Sequence, residues 1–205
     1  MLEDGSVYEG TARGDFKETA CEIVFNTSMT GYVEILTDPS YAGQGVVMTY
    51  PMIGNYGISR EDFESERLQP SAFIVHELSS DPSNFRCTDT IENLLKEYNI
   101  PCISGVDTRA VVKKLRESGT MRGVLTSDIG DRERLMDVIK SFRQIDLVGS
   151  ITAKQTKVYG EENTGAEIAL MDFGTKRNII NNLVKRNCIV TVYPSFTSAD
   201  EIIKT

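Results

Sequence analysis

Residues 167–193, EIALMDFGTKRNIINNLVKRNCIVTVY, alternate an apolar run, a helical period and a second apolar run. Glu167–Asp172 reads as a buried strand. Phe173-Gly174-Thr175 reads as a turn, and Ile179, Ile180, Leu183 and Val184 fall on one face of the helix that follows. Cys188–Tyr193 reads as the second strand. Further on, Ser198 and Glu201 stand at capping-box spacing and start another helix, with Ile202 and Ile203 as its inward pair. This β-α-β-α order is the opening of a doubly wound parallel sheet. Parallel sheets are buried on both faces, and two strands do not achieve that. The expectation is therefore the front part of a longer protein, whose second domain continues past Thr205.

Upstream, ITAKQTKVYGEENTG (151–165) is polar and ends in a turn-rich cluster, which places a linker at 151–166 between a first domain, 1–150, and a second, 167–205. Within the first domain, Leu2 to Gly14 reads as a strand pair turning at Asp4-Gly5. Strands are expected at Cys21–Phe25, Val46–Tyr50, Ser71–Leu78, Ile100–Val106 and Gly123–Thr126. One helix carries Ile91, Leu94, Leu95 and Tyr98, with Asp89 and Glu92 at capping-box spacing. A second, capped by Asp107 or Thr108, carries Val111, Val112 and Leu115 and stops near Gly119. A third starts at Asp131 and turns Leu135, Val138, Ile139 and Phe142 inward. Strands first and mixed elements later fit a β-rich α/β domain better than a regular βαβ alternation.

The 205 residues are 40% apolar and 25% charged, an ordinary soluble composition. With 22 basic against 30 acidic residues the net charge is −8, which argues against nucleic acid as a partner. The acidic run Glu61, Asp62, Glu64, Glu66 reads as a solvated loop. No run of 18 apolar residues spans a membrane, and MLEDGSVYEG is not laid out as a signal peptide, so a cytoplasmic location is expected. Cys21, Cys87, Cys102 and Cys188 lie far apart, and His76 is the only histidine. No metal site is expected from them.

Cysteine catalysis needs a thiolate with a histidine in reach, commonly on a sharp strand-to-helix turn. None of the four cysteines has that setting, although Cys87 precedes a helix cap. His76 reads as structural, with a general base as the alternative. No GxxxxGK[ST] or GxGxxG phosphate loop occurs. Phe173-Gly174-Thr175 is either a plain strand-to-helix connection or an anion site at a helix start. Asp107-Thr108-Arg109 is either a cap or a partner contact through Arg109.

The stretch Phe25–Gly57, FNTSMTGYVEILTDPSYAGQGVVMTYPMIGNYG, is the part that core packing does not explain. Asp38-Pro39-Ser40-Tyr41 is a turn signal that sets the Ser40 hydroxyl at a loop tip. Ser40 is the candidate for contact with a small molecule or a protein, against a purely structural turn.

The run NTSMTGYVEILTDPSY, then TYPMIGNYG, PSNFR, GVDTRAVVKKLRESG and MDFGTKRNI resembles the small, glutamine-hydrolysing subunit of carbamoyl-phosphate synthase. The resemblance extends from residue 2 to about residue 200. It implies an α/β fold: an N-terminal swivelling β/β/α domain followed by a truncated, flavodoxin-like class I glutamine amidotransferase domain. It further implies glutamine hydrolysis by a Cys-His-Glu triad and passage of ammonia to a large subunit, which makes carbamoyl phosphate for arginine and pyrimidine synthesis. On this resemblance the triad lies beyond residue 205, no catalytic residue is assigned here, and 1–205 alone is expected to be inactive. The serine of the DPSY turn matches Ser40, which is implied to contact glutamine. ATP and Mg are expected on the large subunit, with no cofactor in this chain. A non-catalytic domain that docks on the large subunit is the alternative.

Overall fold

The computed structural model describes residues 1–14, 16–143 and 146–203. The chain forms two compact units, Met1–Gln144 and Ile145–Thr205. The first contains β1 (Thr11–Arg13), β2 (Thr19–Asn26), α1 (Tyr32–Thr37), β3 (Gln44–Met48), β4 (Met52–Ile53), β5 (Ala72–Ile74), β6 (Glu77–Leu78), α2 (Ile91–Glu97), β7 (Cys102–Ser104), α3 (Thr108–Ser118), β8 (Met121–Leu125) and α4 (Arg132–Ser141). Two short 3-10 turns lie at Pro39–Tyr41 and Arg60–Asp62. A six-stranded sheet has the order β1-β7-β5-β3-β2-β8. Its four inner strands are parallel, and β1 and β8 close its edges antiparallel.

Side chains alternate across a strand, so each central strand feeds two cores. Val46, Met48, Phe73 and Cys102 pack with Val33 and Leu36 of α1 and with Ile91, Leu94 and Leu95 of α2. Val47, Ala72 and Ile74 belong to the other core, with Val111, Val112 and Leu115 of α3. Val124 of β8 is covered by Leu135 and Ile139 of α4. Each such fully buried aliphatic or aromatic side chain contributes about 1.5–3 kcal/mol of transfer free energy. Gly45 is demanded by packing: a Cβ there would stand 2.7 Å from the Cys21 sulfur and 2.8 Å from Ile23 Cδ1.

Local caps form where short-range chemistry dictates them. Asp107 accepts from Ala110 N–H at 3.0 Å and Asp131 from Arg134 N–H at 2.9 Å. At α2 the cap is Thr90, accepting from Asn93 N–H at 3.2 Å, in place of the expected Asp89–Glu92 box. Asp89 instead accepts from Thr90 N–H and from the Asn93 side chain.

Other differences arise from long-range pairing. Leu2 to Gly14 forms no hairpin: Asp4-Gly5 turns, but β1 pairs with β7 and Leu2 bridges to Gly123. The expected strand Ser71–Leu78 divides between two sheets, because β5 joins the main sheet and β6 pairs with β4. Helix α1 was not expected within 25–57; Tyr32, Val33, Ile35 and Leu36 bury its apolar side against the sheet. Phe142 packs with the α3 core and away from Leu135 and Ile139.

The second unit contains α5 (Leu147–Ile151), β9 (Lys157–Tyr159), β10 (Glu167–Asp172), α6 (Arg177–Lys185), β11 (Ile189–Pro194) and α7 (Ala199–Ile203). Its sheet runs β10-β11-β9, with β10 and β11 parallel and β9 antiparallel to β11. The stretch expected as a linker thus supplies a strand. The β-α-β-α order is present, and Ser198 and Glu201 make their capping box. Burial is less complete than the pattern implied. No residue of β10 is buried, Ile179 is 49% exposed, and Ile203, expected inward, is 82% exposed. Ile180, Val190 and Val192 form its small buried cluster, and Tyr193 is buried beside them in sequence. Lys204 and Thr205 lie outside the described residues.

Candidate functional site

Ser40 lies in the 3-10 turn Pro39–Tyr41, between α1 and β3. Pro39 fixes the backbone at the turn's first position, and the buried Asp38 carboxylate accepts from Ser40 N–H at 2.9 Å. Tyr41 N–H donates to Asp38 O at 3.0 Å, and Ala42 N–H to Pro39 O at 3.1 Å. Asn26, at the end of β2, donates from its side-chain amide to the Tyr41 hydroxyl at 2.9 Å. Behind the turn, the fully buried Thr37 donates to Val33 O at 2.8 Å and accepts from Glu64 N–H at 2.9 Å. Gln69 N–H donates to Leu36 O at 2.9 Å. The backbone of Ser40 is therefore held on both sides, while its side chain is exposed and, among the described residues, makes no hydrogen bond. A rigid mount with a free donor and acceptor is suited to orienting a polar ligand.

The remaining candidates are not gathered around it. His76 is exposed at the end of β5, with Nδ1 3.0 Å from Val106 O. Among the described residues no thiol is hydrogen-bonded to it. Cys21 and Cys102 are fully buried, and burial pushes both thiols up to about 12. Cys87 Sγ lies 3.4 Å from Asp89 O. Asp107 caps α3, leaving Arg109 exposed on the first turn of that helix. The Phe173-Gly174-Thr175 turn is resolved as a connection, since Gly174 and Thr175 N–H both donate to Asp172 Oδ1, at 3.0 and 2.7 Å. Among the described residues, no three His, Cys, Asp or Glu side chains are grouped as metal ligands. A cavity of about 410 Å3 lies on the sheet face opposite α1, lined by apolar residues such as Val47, Ile74 and Val111, away from Ser40.

The family model of the carbamoyl-phosphate synthase small chain, CPSase domain, matches residues 1–125. The chain belongs to this family. Among its curated relatives, the carbamoyl phosphate synthase small chain of Clostridium perfringens is 46% identical over 205 residues, covering 100% of this chain and 58% of the relative. The small chain of Listeria monocytogenes serotype 4b is 44% identical over 204 residues, 99% of this chain and 56% of the relative. The small chain of Archaeoglobus fulgidus is 46% identical over 206 residues, 98% of this chain and 57% of the relative. The chain thus spans a little over half the length of these carbamoyl phosphate synthase small chains. Among the described residues no helix is long and apolar enough to cross a membrane.

The Asp38 turn was legible in the sequence. The Asn26–Tyr41 brace and the Thr37 anchor were not, because nothing local marks a partner 15 or 27 residues away.

Proposed function

We propose that this chain is part of the glutamine-hydrolysing small chain of a cytoplasmic carbamoyl-phosphate synthase. Ser40 contributes to glutamine binding from the first unit. Its hydroxyl donates to the carboxylate of glutamine or accepts from the ammonium, and holds the amino-acid end while the side-chain amide is hydrolysed elsewhere. The nucleophile, histidine and glutamate belong to sequence beyond 205. The released ammonia passes to a large chain, which carries ATP and Mg and forms carbamoyl phosphate. On this reading 1–205 alone releases no ammonia from glutamine, and arginine and pyrimidine synthesis draw on the product.

The observation that carries the reading is 44–46% identity along the whole chain to carbamoyl phosphate synthase small chains, with the Ser40 backbone held by Asp38 and its hydroxyl unbonded among the described residues. The test uses the full-length small chain with its large chain. Glutamine-dependent carbamoyl phosphate synthesis is expected, with Ser40→Ala raising KM for glutamine and leaving ammonia-dependent synthesis unchanged. Unchanged glutamine kinetics in that variant would return Ser40 to a turn residue. Glutamine hydrolysis by 1–205, abolished on alkylating Cys87, would overturn the placement of the chemistry.

A further inference from the structure

Asp172 ends β10 opposite Pro194 at the end of β11, so the two parallel strands finish side by side. Both oxygens of its carboxylate are engaged by backbone. Oδ1 accepts from Gly174 N–H at 3.0 Å and Thr175 N–H at 2.7 Å, and Oδ2 accepts from Ala153 N–H at 2.6 Å. Thr152, buried at 3% exposure, extends the tie: its hydroxyl donates to Asp172 O at 2.6 Å and accepts from Ser195 N–H at 2.8 Å. Three separate segments, at 152–153, 172–175 and 195, are thereby fixed to one another through two side chains. Apolar packing contributes little here, because the rings that follow the two strand ends, Phe173 and Phe196, are 58% and 74% exposed.

In an open α/β sheet, ligands bind in the crevice outside the carboxyl ends of the strands, and this network lies at that edge. A connection that served the path of the chain alone would be satisfied by the bonds from Gly174 and Thr175. The bonds to 153 and 195 add a second loop to the first and fix their separation, as a site built on loops requires. We infer that Thr152 and Asp172 are positioning residues for glutamine hydrolysis: neither touches glutamine, and both act by holding the loops after β10 and β11 where the rest of the site is assembled. The inference rests on the function proposed above, which makes glutamine the substrate. Thr152 is the diagnostic member. Thr152→Val keeps the shape of the side chain but leaves Ser195 N–H and Asp172 O without their partner in a buried place, which frees the loop after β11.

The test uses the full-length small chain with its large chain and measures glutamine hydrolysis, ammonia-dependent carbamoyl phosphate synthesis and the thermal melt of the small chain. Thr152→Val is expected to raise KM for glutamine about tenfold, with ammonia-dependent synthesis as in the parent, because a small misplacement of loops is costly to a site. Thr152→Ser retains the hydroxyl and is expected to restore KM. Asp172→Asn keeps an acceptor for Gly174 and Thr175 but turns an amide toward Ala153 N–H; it is expected to raise KM likewise, and carries the test if Thr152→Val does not fold. A fall in apparent kcat at unchanged KM marks loss of folded protein; that result, or a failure of both variants to fold, would make the role structural and overturn the inference. Parent-like kinetics in Thr152→Val and Asp172→Asn would overturn it while the synthase reading stands. If the parent complex consumes no glutamine, the reading falls first and the inference with it.

Discussion

Tyr32 and Tyr56 each use the hydroxyl to accept the backbone N–H of the other: Tyr56 N–H donates to Tyr32 Oη at 3.2 Å, and Tyr32 N–H to Tyr56 Oη at 3.3 Å. The rings stack with centroids 4.2 Å apart. Tyr32 also donates to Gly57 O at 2.8 Å, and Tyr56 Oη accepts from Gly31 N–H at 2.6 Å. Gly31 stands in the left-handed region at φ 83°, so glycine is needed where the chain swings into α1. This clamp fixes the helix that leads to Ser40 at one end and presents Glu34 along its length.

Removing the Tyr32 hydroxyl leaves Gly57 O and Tyr56 N–H without their partner in a buried place. Tyr32→Phe is expected to lower stability by about 1–3 kcal/mol, read as a shift in the urea midpoint at unchanged slope. A loss within experimental error of zero would mean that water or backbone adjustment replaces both bonds.

The bracing of Ser40 has a separable consequence for glutamine. Tyr41→Phe deletes the acceptor of the Asn26 amide and loosens the turn from one side. In the full-length synthase it should raise KM for glutamine several-fold with kcat and ammonia-dependent synthesis unchanged. In a Ser40→Ala background the same change should add nothing, since residues acting through one group are not additive. Additive effects would show that Tyr41 acts independently of Ser40.

The four thiols divide into two pairs. Cys21 and Cys102 are fully buried with thiols pushed up to about 12, whereas Cys87 and Cys188 are partly exposed. A disulfide reagent at neutral pH should therefore titrate Cys87 and Cys188 in the native chain and reach Cys21 and Cys102 only on addition of denaturant. Rapid native reaction at Cys21 would contradict the packing at Gly45.

Glu18 and Glu34 bring opposite pH dependence. Bonds from Arg134, then Thr126, lower the Glu18 carboxyl to about 2. Its contribution is present above the unfolded value of 4.5 and is lost as pH falls through about 2. The pair is exposed, so solvent screens it and the effect is small. Glu34, raised by burial, behaves the other way: its contribution is present below its unfolded pKa and is lost as pH rises through the folded one. Glu34→Gln should thus melt no lower than the parent chain at pH 7. A lower melting temperature at pH 7 would show that Glu34 stabilises the helix start more than its burial costs.

Leu36 is fully buried on the inner side of α1. Leu36→Ala is expected to cost about 2–5 kcal/mol in chemical denaturation, and through the Gln69–Leu36 contact to disturb the turn that bears Ser40. Preserved stability would mean that α1 is not the lid of this core.

The sequence by itself determined the α/β class, the inward residues of α2 and α3, the caps at Asp107 and Asp131, and the Asp38-Pro39-Ser40 turn. Each of these depends on side chains within one turn of the chain, where periodicity and capping act. Only the tertiary structure decided that β1 pairs with β7, a segment far along the chain, from Thr11↔Ser104 to Arg13↔Cys102, in place of a local hairpin. It also divided 71–78 between two sheets and drew Asp62, read from sequence as part of a solvated loop, into a pocket with Glu34 and Arg86. The physical reason is one of range. Strand partners and pocket walls are chosen by apolar burial and charge pairing between segments distant in the chain, so residues 30–34 and 84–86 carry no local sign that they meet.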